Sequence, residues 1–462
     1  MAPSQDPLQV MDGIFQTITS QSASPSNVVS HIKSITPKEL RDAALASPLS
    51  SGQDPLSVVA GAGYGSASWT VGALYILVAR LTVQNAQAPP LDVITDFCKH
   101  FDPVQARHVP DRVTALARAI QRLAVAANNP RWAIEPLYLL LTRYPPRLSS
   151  LTTIHPIFTL TCLQAKHPTA ALPILEVPIS NIDTNLSELT YNDNLTYHYT
   201  GGIIFAMLKR WKEAEEFFQI VVTAPSTYPS SLQMEALKKM SIGQLIWKGK
   251  VSPLPKYTHP LLVRQFKSTP YQAFINAYPH NSESLKELLN KEKNLFQGEK
   301  NMGLLRQAVD RAPRWVLKKL TATYLSLNLT EIAKAVKIED VNEVRGILLS
   351  MIEDGDLSAT LSSTETETTV TFSDPSPRYN KSQIDALLLN AQAQSEYLLG
   401  LDRELGKSKE YLSKAVKGKG GDDGFSVGGM GGAMGAGMGG WPGGVEEELF
   451  AAGGGSWEDG FA

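Results

Sequence analysis

The chain has 462 residues, 43% hydrophobic and 19% charged, with 43 Lys and Arg against 45 Asp and Glu and a formal net charge of -2. That length exceeds one small core and implies two or three structural units. The balanced charge argues against a molecule drawn as a whole onto nucleic acid or an acidic membrane, and leaves protein partners as the better expectation.

Cys98 and Cys162 are the two cysteines, too few for a disulfide framework and compatible with a reducing compartment. The opening MAPSQDPLQVMDGIFQ has no basic stretch followed by an apolar one, so no secretory signal is expected and the protein is expected to stay inside the cell. The sequons at Asn185, Asn194, Asn328 and Asn380 are then accidental. Residues 1–68 mix Ser, Pro and Gly with brief apolar runs, which predicts short helices separated by loops. The most apolar stretch, Trp69 to Val83, contains Arg80 and falls short of the roughly 20 residues that span a bilayer, so it reads as a buried helix.

From residue 69 to 299 the texture is that of a helical-repeat array. Trp69 to Val83, Asp111 to Ala127, Trp132 to Tyr144, Leu151 to Leu163, Asn194 to Leu208 and Trp211 to Val222 carry apolar residues at helical intervals. The breaks NNP, RYPPR and LKRW are short enough to imply antiparallel neighbours. The best-defined hairpin is YHYTGGIIFAMLKRWKEAEEFFQIVVTAP, where Gly202, Phe205, Ala214, Phe218 and Val221 occupy tetratricopeptide-like packing offsets. Gly202 and Ala214 would let the helices approach while Phe205 and Phe218 fill the seam. A weaker echo, LTTIHPIFTLTCLQAKHPTAALPIL, puts Ala171 and Leu175 in the corresponding second-helix register.

Residues 300–376 change to helix, short turn, helix and two strand-like pieces, the pattern of a winged-helix module. Arg314 to Leu325 reads as one helix, Thr330 as the N-cap of TEIAKAV, and Asp340 to Ile352 as the next helix, punctuated by Gly355. Leu357 to Ser362 and Thr368 to Phe372 read as wing strands around the polar turn STETE. The residues expected to present the module to partners are Val344, Ile347, Met351, Leu357, Val370 and Phe372. From 382 to 417 one long helix is expected, with Ile384, Leu388, Ala391, Leu398, Leu401, Leu405 and Leu412 forming an apolar seam that needs a partner helix. Residues 418–462 hold 18 of the 34 glycines and are expected to be disordered. The acidic-aromatic patches VEEELF and SWEDGFA there fit either a transient peptide contact or, the blander reading, a solubilising tail.

No constellation for catalysis emerges. G-x-S-x-G, G-x-x-x-x-G-K-[ST], H-E-x-x-H and C-x-x-C do not occur. Cys98, His100 and His108, with Asp102 between, form the nearest thing to a metal cluster but lack a second ligand pair. GAGYGSAS has no Lys to reach a phosphate, and His198 reads as a packed core or interface histidine. The sequence therefore predicts no catalytic residue, no cofactor and no metal. A nucleic-acid-binding winged helix is the alternative from another class. Against it, the second helix and its flanks carry Glu339, Asp340, Glu343, Glu353, Asp354 and Asp356 with only Arg345 opposite, a face a duplex would repel.

A helical-repeat array closed by a winged helix resembles the PCI-domain subunits shared by the proteasome lid, the constitutive photomorphogenesis signalosome and translation initiation factor three. Several blocks narrow the resemblance to the signalosome subunit-three family. They are Tyr199, Gly201 and Gly202 in YHYTGGII, Met234 to Lys239, Gly249 to Val251, Leu254 to Thr258, Asn301 to Leu304, Leu325 to Leu327 and Met351 to Gly355. After the wing, Asp374, Pro375, Tyr379 and Asn380 also fit. Before residue 190 the likeness is one of texture, and the Gly-rich tail departs from the family pattern.

The resemblance implies a mostly α fold and a non-catalytic scaffold that joins its winged helix edge to edge with sister subunits and lends its C-terminal helix to a shared bundle. The first and eighth subunits are the implied ring neighbours, and cullin-RING ligases are implied as indirect partners through removal of a ubiquitin-like modifier from cullins. Neither nucleic acid nor membrane is an implied partner, and the implied location is cytoplasmic and nuclear. A proteasome-lid or initiation-factor subunit is the rival within the same architecture, opposed by the LPKYT and NMGL blocks.

Overall fold

A helix that is apolar on all sides has to be surrounded by others, and Trp69–Thr82 is, with every residue from Thr70 to Arg80 buried. In the computed structural model the described residues are 6–20, 24–64, 68–83, 86–280, 282–363, 368–373, 379–409 and 411–412. The expected turn at 364–367, Gly65 of GAGYGSAS, the blocks at Asp374 and Pro375, the end of the expected long helix from 413 and the Gly-rich tail lie outside them. Arg80 is tolerated inside the first core because its guanidinium meets Asp54 Oδ1 at 2.7 Å, and Asp54 also accepts the Leu56 N–H as the N-cap of Pro55–Ala62. Gly72 permits a close approach: a Cβ there would lie 2.6 Å from the side chain of Ile18 on Pro7–Thr19.

The described residues divide into two compact units, 6–315 and 316–412. In the first, one apolar core runs from Met11 to Ala312, so the expected boundary at residue 68 is not a core boundary. The pair Tyr191–Met207 and Trp211–Thr223 begins with a capping box between Thr190 and Asp193 and turns at Lys209, φ +61°. There the Arg210 N–H donates to Phe205 O at 2.9 Å and closes the first helix. A Cβ on Gly202 would lie 2.7 Å from the Phe218 ring, and one on Gly201 equally near Phe217. Phe205, Ala214 and Phe218 are buried in the same seam.

The weaker echo does not form a helix pair. Its first member is helical, Ile154–Gln164, but Leu151 belongs to a two-residue strand, and the second member is a short 3-10 turn, Pro168–Ala171, followed by a single turn, Leu172–Leu175. Pro168 and Pro173 supply no backbone N–H, which suits first turns and works against propagation. Ala171 and Leu175 are nonetheless buried. β1 (Ser150–Leu151) and β2 (Asn181–Ile182) pair in parallel across this region.

A helix with no counterpart among the expected segments, Ser231–Lys248, follows the hairpin. It starts with a capping box between Ser230 and Gln233 and stops at Gly249, φ +74°. Gln233, Glu235, Lys238, Lys239 and Gln244 are buried on it, which hides its helical period from an apolar count.

The second unit carries the winged helix. The helix expected at Arg314 to Leu325 is instead Met302–Leu320, running through Pro313, and the chain then forms β3 (Ser326–Asn328), a strand the expectation lacked. Leu329–Val336 therefore starts directly from β3, with Asn328 and not Thr330 at its N-cap. Lys337, φ +61°, turns the chain into Val341–Glu353, which Asp340 caps by accepting the Asn342 N–H at 2.8 Å. β4 (Ala359–Ser363) starts two residues later than expected, β5 (Thr368–Phe372) lies where expected, and the antiparallel order is β3-β5-β4. A last helix, Lys381–Lys407, opens with a capping box between Asn380 and Gln383 and ends ten residues before the expected Lys417.

Candidate protein-interaction site

The helix Lys381–Lys407 buries none of its residues. Ile384 is 47% exposed, Leu388 58%, Leu398 63% and Leu405 60%, while Leu401 and Ala391 are also exposed. Leu412, the last member of the expected seam, is exposed but lies beyond the helix end. The seam is also richer than the expectation. Leu387, Leu389, Tyr397 and Leu399 are exposed as well, and spacing by threes, fours and sevens had passed over them. At 100° per residue, the apolar positions from Leu401 round to Leu399 cover about 160° of the circumference, with Tyr397 and Leu389 lying outside that arc on its two sides. A narrow two-stranded seam needs less, so the arc suits a helix covered from more than one side.

In the winged helix the expected interaction set requires correction. Val344, Met351, Leu357, Val370 and Phe372 are buried, packed with Leu317, Ile332 and Leu348 in the module's own core, and Ile347 is half-buried against it. On Val341–Glu353 the buried stripe of Val344, Leu348 and Met351 packs into the module's own core beside Leu329–Val336. Among the described residues of the module, the exposed large apolar side chains are Leu325 (84%), Tyr324 and Leu349, and the edge strands of its sheet are β3 and β4. Unsheathed edges are ready templates for pairing with another chain. The acidic residues Glu339, Asp340, Glu343, Glu353, Asp354 and Asp356 are all exposed, as is Arg345.

The cysteines and histidines singled out in the first unit are buried or lie apart. Burial pushes the Cys98 and Cys162 thiols up to about 12, far from the thiolate that nucleophilic or metal chemistry requires. His100 lies outside on an Asp96 contact while Cys98 is buried, so the candidate cluster is not assembled, and among the described residues no group of three His, Cys, Asp or Glu could hold a metal ion. His198 packs against Tyr197 and Phe217, its Nδ1 2.9 Å from Asn194 O, and burial holds it below the usual imidazole range. His155 is buried deeper: its Nδ1 accepts the Thr152 N–H at 3.0 Å, and burial lowers it to about 4.

One buried polar network had no signal in the apolar pattern. Lys238 Nζ lies 2.6 Å from Glu235 and 2.7 Å from Glu299, and Lys239 Nζ lies 3.2 Å from Glu235. Tyr271 donates to Glu299 at 2.6 Å, and Asn301 donates to the Tyr271 oxygen at 2.8 Å. Burial pushes the Glu235 carboxyl up, but the Lys239 and Lys238 ammoniums outweigh it and hold the group below the ordinary range. The resemblance blocks Met234 to Lys239 and Asn301 to Leu304 meet in this network. It ties Ser231–Lys248 to Tyr271, Glu299 and Asn301.

Comparison with known proteins adds two domain matches and close relatives. Residues 64–262 match the family described as COP9 signalosome complex subunit 3, N-terminal helical repeats, and residues 275–374 match the PCI domain. COP9 signalosome complex subunit 3 of Dictyostelium discoideum is 28% identical over 362 residues, 76% of this chain and 85% of that protein. The protein of the same name from Drosophila melanogaster is 27% identical over 376 residues, 75% of this chain and 83% of its own length.

Proposed function

We propose that the chain, similar to COP9 signalosome complex subunit 3 over three quarters of its length, is a member of that family and a non-catalytic scaffold subunit, assembling with the other subunits of a signalosome. The observation that carries this reading is the helix Lys381–Lys407, a capped rod with a wide apolar arc and no buried residue. A helix of that composition gains stability by packing into a bundle with others. The edges β3 and β4 and the exposed Leu325 offer a second contact, through which the winged helix would pair with sister subunits. By this reading the subunit works by position, the assembled complex strips the ubiquitin-like modifier from cullins, and another subunit performs that cleavage. Subunits one and eight are the proposed ring neighbours, and cytoplasm and nucleus the proposed locations.

Purification of the tagged protein from its own cells tests the reading. Stoichiometric signalosome subunits are the expected companions, with cleavage of modified cullin by the complex and none by the isolated chain. Recovery with proteasome-lid or initiation-factor subunits instead, or cleavage that follows this chain alone through successive columns, would overturn it.

A further inference from the structure

From Ala236 to Ser282 the chain has 47 residues without Asp or Glu, the longest such run it contains. Three cations of the run, Lys238, Lys239 and Lys248, are already committed to Glu235, Glu299 and Glu215. Lys256, Arg264 and Lys267 are exposed, and among the described residues no carboxylate pairs with any of them.

Apolar groups share this face. Tyr257 is 73% exposed, Tyr228 76% and Leu261 42%. His259 brings them together. Its Nδ1 accepts the Leu261 N–H at 3.2 Å, which leaves Nε2 as the donor to Thr227 O, also at 3.2 Å, so the Tyr228 loop sits beside the Tyr257 loop. The helix Pro260–Lys267 buries Leu262 and Phe266, and leaves Leu261 and Arg264 on its outer side. The result is a cationic surface with large apolar side chains standing on it, chemistry that recognises an acidic, aromatic peptide.

The same chain contains such a peptide. Residues 420–462 have seven carboxylates and no Lys, Arg or His, and their aromatic residues include Phe450, Trp457 and Phe461. We propose that the terminal segment 445–462 docks in cis on this face, its rings against Tyr228, Tyr257 and Leu261 and its carboxylates against Lys256, Arg264 and Lys267. The 32 residues between Leu412 and Val445 make a long tether, extending to roughly 100 Å at the limit. Tethering converts a weak peptide contact into an intramolecular one at high effective concentration. A contact of this kind is held by charge, so salt or a competing acidic peptide would release it.

The test uses the full chain with a photo-crosslinking benzoylphenylalanine in place of Trp457. Irradiation and peptide mapping are expected to give crosslinks within one molecule to residues 226–230 and 254–267. Lys256→Glu with Arg264→Glu is expected to lower that yield roughly tenfold, and Glu446→Lys, Glu447→Lys and Glu448→Lys on that background to restore it. Crosslinks scattered over the surface, a yield that falls on dilution, or indifference to charge reversal would each overturn the proposal. So would a labelled single-stranded RNA that binds through Lys256 and Arg264 equally well with and without residues 445–462, since the face would then be a nucleic-acid site.

Discussion

A Cβ built on Gly249 would lie 2.4 Å from the indole ring of Trp315. Gly249 also holds φ +74°, so glycine is required twice at the end of Ser231–Lys248, once by backbone conformation and once by the ring above it. Gly249→Ala is expected to cost about 2–4 kcal/mol from the two sources together. A urea titration of the full chain measures it. In the Trp315→Ala background the penalty is expected to shrink to the backbone part, roughly 1 kcal/mol; equal penalties in both backgrounds would remove the packing argument.

Glu235→Gln is expected to destabilise the first unit by about 3–5 kcal/mol, because it leaves the ammoniums of Lys238 and Lys239 buried without their shared partner. The pH dependence has a definite sign. Glu235 is held below its ordinary value of 4.5, so its contribution is present above that pH and disappears as pH falls through the lowered value. Acid denaturation below about pH 4.5 is therefore expected to be shallower in Glu235→Gln than in the parent chain. Matched acid titrations followed by far-UV circular dichroism decide the point.

His155 acts in a different pH window. Burial lowers it from 6.5 to about 4, so between those values the unfolded chain takes up a proton that the folded chain refuses. Stability is full above pH 6.5 and declines toward pH 4, by an amount on the order of 3 kcal/mol for this group. His155→Asn keeps an acceptor for the Thr152 N–H and removes the titration. Its stability profile across pH 4–6.5 is expected to be flatter, with a residual slope from His198, whose lowered pKa has the same sign. An unchanged slope would show that other groups set it.

Leu398→Asp combined with Leu405→Asp tests the apolar arc. Each leucine covered by a partner contributes about 1.5–3 kcal/mol, and each new carboxylate would face a dry seam. Loss of partner subunits in a pull-down is expected, while the melting temperature of the free chain is expected to stay within a few degrees, because both leucines are exposed in it. A control pair at Lys407 and Lys409 is expected to retain partners. Retained partners with a collapsed melt in the double mutant would mean that the helix packs on its own chain.

These contacts also show where the sequence was readable. Gly202, Phe205, Ala214 and Phe218 could be placed because a glycine opposite an aromatic ring at a fixed offset is a local signal that survives folding. Ser231–Lys248 could not, since its inward face carries Glu235, Lys238 and Lys239, and charged residues do not advertise burial unless their partners are known. β3 is three residues long and became a strand only because β5 lay beside it. The apolar stripe of Val341–Glu353 was legible as a stripe, but one face cannot say whether it meets its own module or another protein, and Val344 and Met351 went into the module's core. The long helix offered the opposite case, where a glycine-free-enough apolar rod with no complementary segment pointed outward, although the selected spacing missed Leu387, Leu389, Tyr397 and Leu399.

The ionic centre formed by Glu235, Lys238, Lys239 and Glu299 has a consequence for behaviour on warming. Hydration of charged groups carries a strongly negative entropy, so the penalty for keeping such groups dry falls as temperature rises, while apolar stabilisation per unit area levels off. The segment Ser231–Lys248 is therefore expected to hold its place in heated protein better than a helix held chiefly by hydrocarbon, such as Trp69–Thr82, where the Arg80–Asp54 pair sits in an otherwise apolar surround. Amide exchange followed at rising temperature would show the array opening first around Trp69–Thr82 and last around Lys239.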